Sequence, residues 1–401
     1  MSKLQELIKE LCPEGVELRK LGEVCEYIRG ITYNKSQEAK PNDINTIKVL
    51  RANNISVSTN TLNFSDIKEV ISTVKYKKEQ KLYKGDILIC AGSGSKEHIG
   101  KVAYIFNDID YTFGGFMAVV RCSPNITSRF LFHILTSKSF NDYLNKTIDS
   151  STINNLNSRI MGNFEIPLPP LEIQNEIVRI LDAFTAHTAE LQAELQAELQ
   201  ARKEQYEYYR NKLFTFDEND EGVKWMKLGE IYDMKAGKSI PASEISSVKT
   251  EEFQYPCYGG NGLRGYVSIF NQEGEKVLIG RQGALCGNVC FAENLFYATE
   301  HAVVVSDKGY CLPRYSFYLL TMMDLNQYKT AGAQPGLSVS RLEKISIPVP
   351  PPSEQKRIIS ILDKFDSLVN DLSEGLPAEI AAIQEQYEYY RNKLLTFKRK
   401  S

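Results

Sequence analysis

"EQYEYYRNKLFTF" occupies Glu204–Phe216 and "EQYEYYRNKLLTF" occupies Glu385–Phe397, the same thirteen letters apart from Phe214 against Leu395. The offset is 181 residues, and it also aligns "IPLPPLEIQNEIVRILDAF" from Ile166 with "IPVPPPSEQKRIISILDKF" from Ile347, without a gap. Inside the first copy Ile177, Leu181, Phe184, Leu191, Leu195, Leu199, Tyr206, Tyr209 and Leu213 fall at steps of three, four or their sum of seven, the seam of a long packed helix. The second copy keeps the beat with Ile358, Leu362, Phe365, Leu372, Leu376, Ile380, Tyr387, Tyr390 and Leu394. Proline is tolerated only in the first turn of a helix, so the two helices are expected to begin near Glu172 and Ser353. The first makes a rod of roughly 64 Å, while Gly375 and Pro377 are expected to break or kink the second.

A shorter repeat introduces each half. "EGVELRKLGEV" from Glu14 resembles "EGVKWMKLGEI" from Glu221 at an offset of 207, so the first variable region is 26 residues longer than the second. Between these landmarks the halves differ: "TIKVLRANNISV" and "KGDILICAGSGSKEHIGKVAYIF" in one, "YPCYGGNGLRGYVSIF" and "KVLIGRQGALCGNVCF" in the other. Alternating Val/Ile runs with Gly-rich turns read as mixed α/β domains with prominent sheet. The fold class is therefore α+β: two mixed domains separated by two long helices, written as an internal repeat. The expected partition is 1–16, an N-terminal helix; 17–165, the first variable domain; 166–223, the central helical region; 224–346, the second variable domain; and 347–401, the C-terminal helical region.

At 401 residues the chain exceeds one ordinary core, and its 24% charged and 42% hydrophobic residues are those of a folded protein. The net charge of −2 hides an uneven distribution: residues 17–165 hold 20 Lys+Arg against 15 Asp+Glu, 224–346 hold 13 against 12, and 166–223 hold 5 against 12. An acidic connector of this kind faces protein or solvent, and the less acidic domains are left to meet nucleic acid. "MSKLQELIKEL" has no apolar signal-peptide core and no 18-residue apolar run exists, which sets the expectation of a cytoplasmic protein without a membrane partner. The eight cysteines are scattered, and Cys286 and Cys290 have no second pair to complete a zinc site, so reduced thiols are expected.

Catalytic signatures fail on inspection. "AGKS" at Ala236–Ser239 has Tyr232 where a phosphate loop needs glycine, and "GSGSKEHIGK" has five residues between Gly94 and Gly100 and Val102 in place of the metal-binding hydroxyl. There is no Asn-Pro-Pro-aromatic motif, no helicase motif, and no metal-binding cluster among His98, His133, His187 and His301. His301 enters the apolar strand of "ATEHAVVV", a setting in which histidine is more often structural than a ligand. Tyr206 and Tyr209 fall on the helix seam and Tyr208 on another face, which favours packing or partner contact over a stacking platform for single-stranded DNA.

Two unlike domains, each followed by "IPxPP", a Gln-containing start, "ILDxF" and "EQYEYYRNKLxTF", closely resemble the DNA specificity subunit of type I restriction-modification systems over essentially the whole chain. The resemblance implies two target-recognition domains, each reading one half of a bipartite double-stranded DNA site, held apart with pseudo-twofold symmetry by an antiparallel pair of long helices that dock two methylation subunits, with two restriction/motor subunits completing the nuclease. It implies no cofactor on this chain, with S-adenosylmethionine, ATP and Mg on the partners, and methylation of an adenine flipped into the partner's pocket. "RANNI" from Arg51 and "GDILICAGSGSKEHIGKVA" from Gly85 match one type of recognition domain; "CYGGNGLRGYV" from Cys257, "GRQGALCGNV" from Gly280 and "AGAQPGLS" from Ala331 match another. The first domain carries "SSTINNLN" from Ser150 in place of the "AQP" pattern.

Base readout needs forked or amide side chains: Arg for guanine, Asn or Gln for adenine. The candidates are Arg51, Asn53, Asn54 and Lys96 in the first domain, and Asn261, Arg264, Arg281 and Gln282 in the second. A surface or turn role is the plain alternative for each. Rival readings of the whole chain are a self-contained DNA methyltransferase or nuclease with unrecognised motifs, and a helical scaffold with no DNA role.

"TAELQAELQAEL", Thr188–Leu199, contains three near-copies of one tetrapeptide of good helix formers. Four added residues lengthen a helix by about 6 Å and turn it by roughly 400°, so the apolar face returns nearly to its direction. Inserting one further "QAEL" after Leu199 is expected to add about one base pair, which rises about 3.4 Å, to the unspecified spacer and leave both half-sites unchanged. Methylome sequencing of the insertion variant checks this; an active variant confined to the original spacer would rule the repeats out as the ruler.

Overall fold

The computed structural model describes residues 2–41, 43–56, 59–93, 98–148, 155–217, 220–283, 285–330, 336–370 and 375–400. The chain forms two compact units, Met1–Ala193 with Ala381–Ser401, and Glu194–Ile380. The first long helix runs unbroken from Leu171 to Leu213, one residue earlier than the proline argument placed its start. The second is described as a helix over Pro352–Asn370 and another over Leu376–Leu394, with a non-helical Gly375 just before the latter and Pro377 in its first turn. No described helix is long and apolar enough to cross a membrane.

In the first unit the opening of the first long helix packs antiparallel on the closing turns of the second. Phe184 meets the rings of Tyr387 and Tyr390 at 5.5 and 5.9 Å, the Thr185 and Tyr387 hydroxyls are 2.7 Å apart, and the Gln192 amide donates to Gln384 at 3.2 Å. Leu181 is fully buried there, and Leu394, Leu395 and Phe397 pack on the same core. The second unit builds this contact with the helices' roles exchanged: Phe365 meets Tyr206 and Tyr209 at 6.2 and 5.7 Å, and Leu362 is buried with Phe214 beside Leu213 and Phe216. Leu181, Phe184, Tyr387, Tyr390 and Leu394 in one unit, and Leu362, Phe365, Tyr206, Tyr209 and Leu213 in the other, are thus seam residues read from the sequence that meet where the helices pack, while Leu372 lies outside the described residues.

Each unit contains two four-stranded sheets, and their orders correspond strand for strand. The first has Cys25–Arg29, Met117–Cys122, Ile87–Cys90 and Val102–Tyr104 in one sheet, and Lys68–Val70, Ile47–Leu50, Ile109–Phe113 and Lys81–Leu82 in the other. The second has Tyr232–Ala236, Ala302–Asp307, Lys276–Gly280 and Val289–Ala292, then Gly262–Val267, Tyr255–Gly259, Leu295–Ala298 and Gln272–Glu273. In both, one pair is parallel, Leu50 opposite Phe113 and Tyr258 opposite Ala298. Sequences that read as two unlike types therefore share one topology. Part of the first domain's extra length lies in the ribbon of Ile55–Ser56 with Thr61–Leu62 and in the helix Lys138–Ile148, where the second has the short turn Leu325–Tyr328. Small two-stranded pairs, Leu18–Lys20 with Glu165–Pro167 and Lys224–Lys227 with Ser346–Val349, close each domain's base.

One buried amide fastens each domain to its helix. Gln174 is fully buried: its Oε1 accepts from the Thr127 N–H at 2.8 Å, and its Nε2 donates to the carbonyls of Pro169 and Asn125 at 2.8 and 3.1 Å. Gln355, 181 positions on, repeats this with the Leu312 N–H and the Pro350 and Tyr310 carbonyls at 2.7, 2.9 and 2.9 Å. About two turns further along, Asp182 accepts from Arg129 at 2.9 Å and His133 at 2.8 Å, as Asp363 accepts from Arg314 at 3.0 Å and Tyr318 at 2.5 Å. Burial holds His133 below the usual histidine range, so near neutral pH its ring is uncharged, Nε2–H donates to Asp182 and Nδ1 is left a lone pair with no partner among the described residues. All eight cysteines are free thiols, Cys25 and Cys122 facing across neighbouring strands with sulphurs 3.8 Å apart.

Gln174→Ala strips three backbone groups of their partner, the Pro169 carbonyl buried and the Thr127 N–H and Asn125 carbonyl part-buried, and a buried group left unpaired costs about 1–3 kcal/mol. Denaturant unfolding is expected to show a loss of about 3 kcal/mol or more, and Gln355→Ala a similar one.

Candidate nucleic-acid interface

The strand Ile47–Leu50 runs into a tight turn, Ala52–Asn54, and the first candidate residues stand on it. Asn54 is corrected from a base reader to a framework residue. It is 1% exposed, its Oδ1 accepts from the Arg51 N–H at 2.8 Å, and its Nδ2 donates to the carbonyls of Asn63 and Asp66 at 2.9 Å each. Arg51 and Asn53 sit above it on one carboxylate oxygen: Asp66 Oδ2 accepts from Arg51 Nη2 at 2.9 Å and from Asn53 Nδ2 at 2.7 Å. Arg51 Nε is buried with no partner among the described residues. Both side chains line a cleft of about 870 Å³ shared with Tyr33, His98, Lys101 and Phe116, the last 72% exposed. Lys96 lies outside the described residues.

In the second domain the turn Gly259–Gly262 joins two strands and carries Asn261, with Arg264 just beyond. Asn261, Arg264 and Gln282 line a cleft of about 550 Å³ together with His301 and Leu285. Gln282 Oε1 is 2.9 Å from His301 Nδ1, while His301 Nε2 is 3.3 Å from Glu300. Thr299 Oγ1 and Glu300 Oε2 are buried beside them with no partner among the described residues. Arg281 is not part of this cleft: its N–H donates to the His301 carbonyl and its own carbonyl accepts from Leu337, both at 2.8 Å, while its side chain is exposed. Close backbone approach shapes the site, since a Cβ on Gly280 would lie 2.0 Å from the Gly260 oxygen.

Backbone hydrogen bonds align the two clefts. The Gly114 N–H donates to Leu50 as Thr299 donates to Tyr258; Ala91 donates to Phe116 as Arg281 to His301; Leu156 donates to Ala91 as Leu337 to Arg281. Gly30 and Gly237 occupy matching positions at the ends of their strands, where a Cβ would fall 2.2 and 2.1 Å from a carbonyl oxygen. Each cleft is therefore built on the same backbone positions by different side chains: Phe116 for His301, Gly92 for Gln282, Arg51 for Gly259. The loops that differ in sequence, "SSTIN" and "AGAQP", lie outside the described residues, but Asn155 and Gly336, which follow them, bridge to Gly92 and Gln282 in the same way. Asp66, Glu300 and Phe116 went unrecognised in the sequence; a carboxylate fifteen positions from Arg51 leaves no local signal.

On the helices, Tyr208 and Tyr389 occupy repeated positions, 61% and 60% exposed, packed edge-on against Tyr209 and Tyr390, with Lys212 and Lys393 at 6.0 and 5.8 Å. Such exposed aromatic pairs are recurrent parts of protein-binding surfaces.

Comparison with known proteins follows the same division. The family model described as "Type I restriction modification DNA specificity domain" matches residues 13–201 and 220–382. The chain is 47% identical over 253 residues to the Escherichia coli type I restriction enzyme EcoprrI specificity subunit, the match covering 61% of this chain and 63% of that protein's length. It is 34% identical over 345 residues to a putative type I restriction enzyme specificity subunit of Haemophilus influenzae, covering 79% and 84%. Among solved structures, a chain from a study of complex assembly and conformational transition of the type I R-M system matches with TM-score 0.72 and 19% identity, over 95% of this chain and 97% of that one. The HsdS subunit from Thermoanaerobacter tengcongensis matches with TM-score 0.57 and 20% identity, over 96% and 97%; these two likenesses concern the fold. With most of its length under the family model, the chain belongs to the type I restriction modification DNA specificity family.

Proposed function

We propose that this chain is the non-catalytic specificity subunit of a type I restriction-modification complex, reading a bipartite DNA site with one domain per half-site. The observation that carries the reading is the pair of clefts on matching backbone with different linings, Arg51 and Asn53 in one and Asn261, Arg264 and Gln282 in the other. One scaffold thereby offers two base-reading surfaces, which suits an asymmetric site. Target recognition is assigned to residues 17–165 and 224–346, and Arg281, outside its cleft, is retained as a DNA-contact candidate through its exposed side chain. The helices set the spacer, and Tyr208 and Tyr389, the same surface made twice, suit a partner present in two copies, namely the methylation subunits. Two restriction/motor subunits complete the assembly; S-adenosylmethionine, ATP and Mg belong to the partners, and the complex works in the cytoplasm. Family membership does not favour the rival reading of a self-contained methyltransferase or nuclease.

Replacing residues 17–165 with the equivalent domain of another specificity subunit is expected to change one half-site and leave the other intact, read by methylome sequencing; a change in both would overturn independent reading. Arg51→Ala should cost the first half-site about 1–3 kcal/mol if its guanidinium forks to guanine, whereas equal loss on unrelated DNA marks a phosphate contact. The purified chain alone, given labelled S-adenosylmethionine and DNA, is expected to transfer no methyl group, and transfer would support the rival.

A further inference from the structure

Asp66 stands outside every sequence motif, yet it fixes the chemistry that the first cleft presents. A carboxylate paired with a guanidinium is ionised and can only accept hydrogen bonds, so the Asn53 atom 2.7 Å from it is the amide nitrogen. The amide is thereby held in one sense: one N–H is used on Asp66, while Oδ1 and the second N–H remain without a partner among the described residues. The pin is rigid at both ends, because the buried Asn54 amide ties the turn bearing Arg51 and Asn53 to the carbonyls of Asn63 and Asp66.

An acceptor beside a donor complements adenine in the major groove, whose N6 amino group donates and whose N7 accepts. Guanine offers two acceptors, O6 and N7, and would set its O6 against Oδ1. An untethered asparagine can turn over to present either order; one held by Asp66 cannot. Asn261, on the matching turn of the second domain, has no such carboxylate partner among the described residues, so the device belongs to the first domain.

We propose that Asp66 is a positioning residue that holds the Asn53 amide in the sense that selects adenine in the half-site read by the first domain. This rests on the chain being a sequence-reading subunit, and the experiment separates the two.

The complex is purified through a tag on this chain, and the methylome of its host defines the bipartite site. Duplexes carrying 7-deazaadenine in place of each adenine of the first half-site, on either strand, are then titrated. With the wild-type complex, loss of N7 at one position is expected to weaken binding about tenfold. Asn53→Ala is expected to bind the unmodified site more weakly and to show no further loss at that position. Asp66→Ala should show a reduced loss there and accept guanine at that position in the methylome, while the second half-site and spacer stay unchanged. Asp66→Asn, which keeps the shape and removes the obligate acceptor, should behave like Asp66→Ala; it carries the test if Asp66→Ala melts at a lower temperature. A chain without any bipartite site overturns the proposed function. A bipartite site whose first half shows no N7-sensitive adenine, or whose N7 sensitivity survives intact in Asn53→Ala or in Asp66→Asn, overturns this proposal alone.

Discussion

The aromatic contact between the helices is the constraint on which the rest depends. Phe184 needs Tyr387 and Tyr390, and Phe365 needs Tyr206 and Tyr209, so each unit is completed by the opening of one long helix and the close of the other. Rings at these separations contribute about 0.5–1.5 kcal/mol per pair beyond the apolar area they bury. A change on the seam is felt where the partner helix meets it, which accounts for the near-identity of the two thirteen-residue peptides in a chain whose domains have diverged.

The domains diverge within limits set by the same economy. Gln174 and Gln355 fasten each to its helix through three backbone groups, an attachment indifferent to the domain's side chains. Above that base, glycines admit the close backbone approaches that shape the clefts, and the side chains standing on them are free to vary. A scaffold that spends backbone hydrogen bonds on architecture leaves its forked and amide side chains for recognition.

The helices were the most legible part of the sequence, because a period of three to four residues sustained from Ile177 to Leu213, and again from Ile358 to Leu394, has few alternatives. Their starts, at Leu171 and Pro352, fell within one residue of the proline argument, and the break beside Gly375 and Pro377 fell where proline chemistry placed it. The shared topology of the domains was not legible. It is carried by backbone pairings such as Leu50 with Phe113 and Tyr258 with Ala298, which constrain strand order and not residue identity. The clefts were half legible: motif position located Arg51, Asn53, Asn261, Arg264 and Gln282, but the loss of Asn54 to the interior and the tethering of two readers by Asp66 depend on contacts between separate loops.

The composition of the two units also orders their appearance as the chain is made. Glu194–Ile380 is one continuous stretch, whereas the other unit joins Met1–Ala193 to a segment beginning at Ala381. Domains fold as units during synthesis, N-terminal first, and contacts between distant segments pay loop closure before they are rewarded. Here the strands of the first unit all lie before its long helix, but Phe184 on that helix stays uncovered until the whole of the second unit has emerged. The nascent chain thus carries an exposed apolar helix face through about half of its translation, from Phe184 to Tyr387, a burden that a contiguous arrangement of the same domains would not impose.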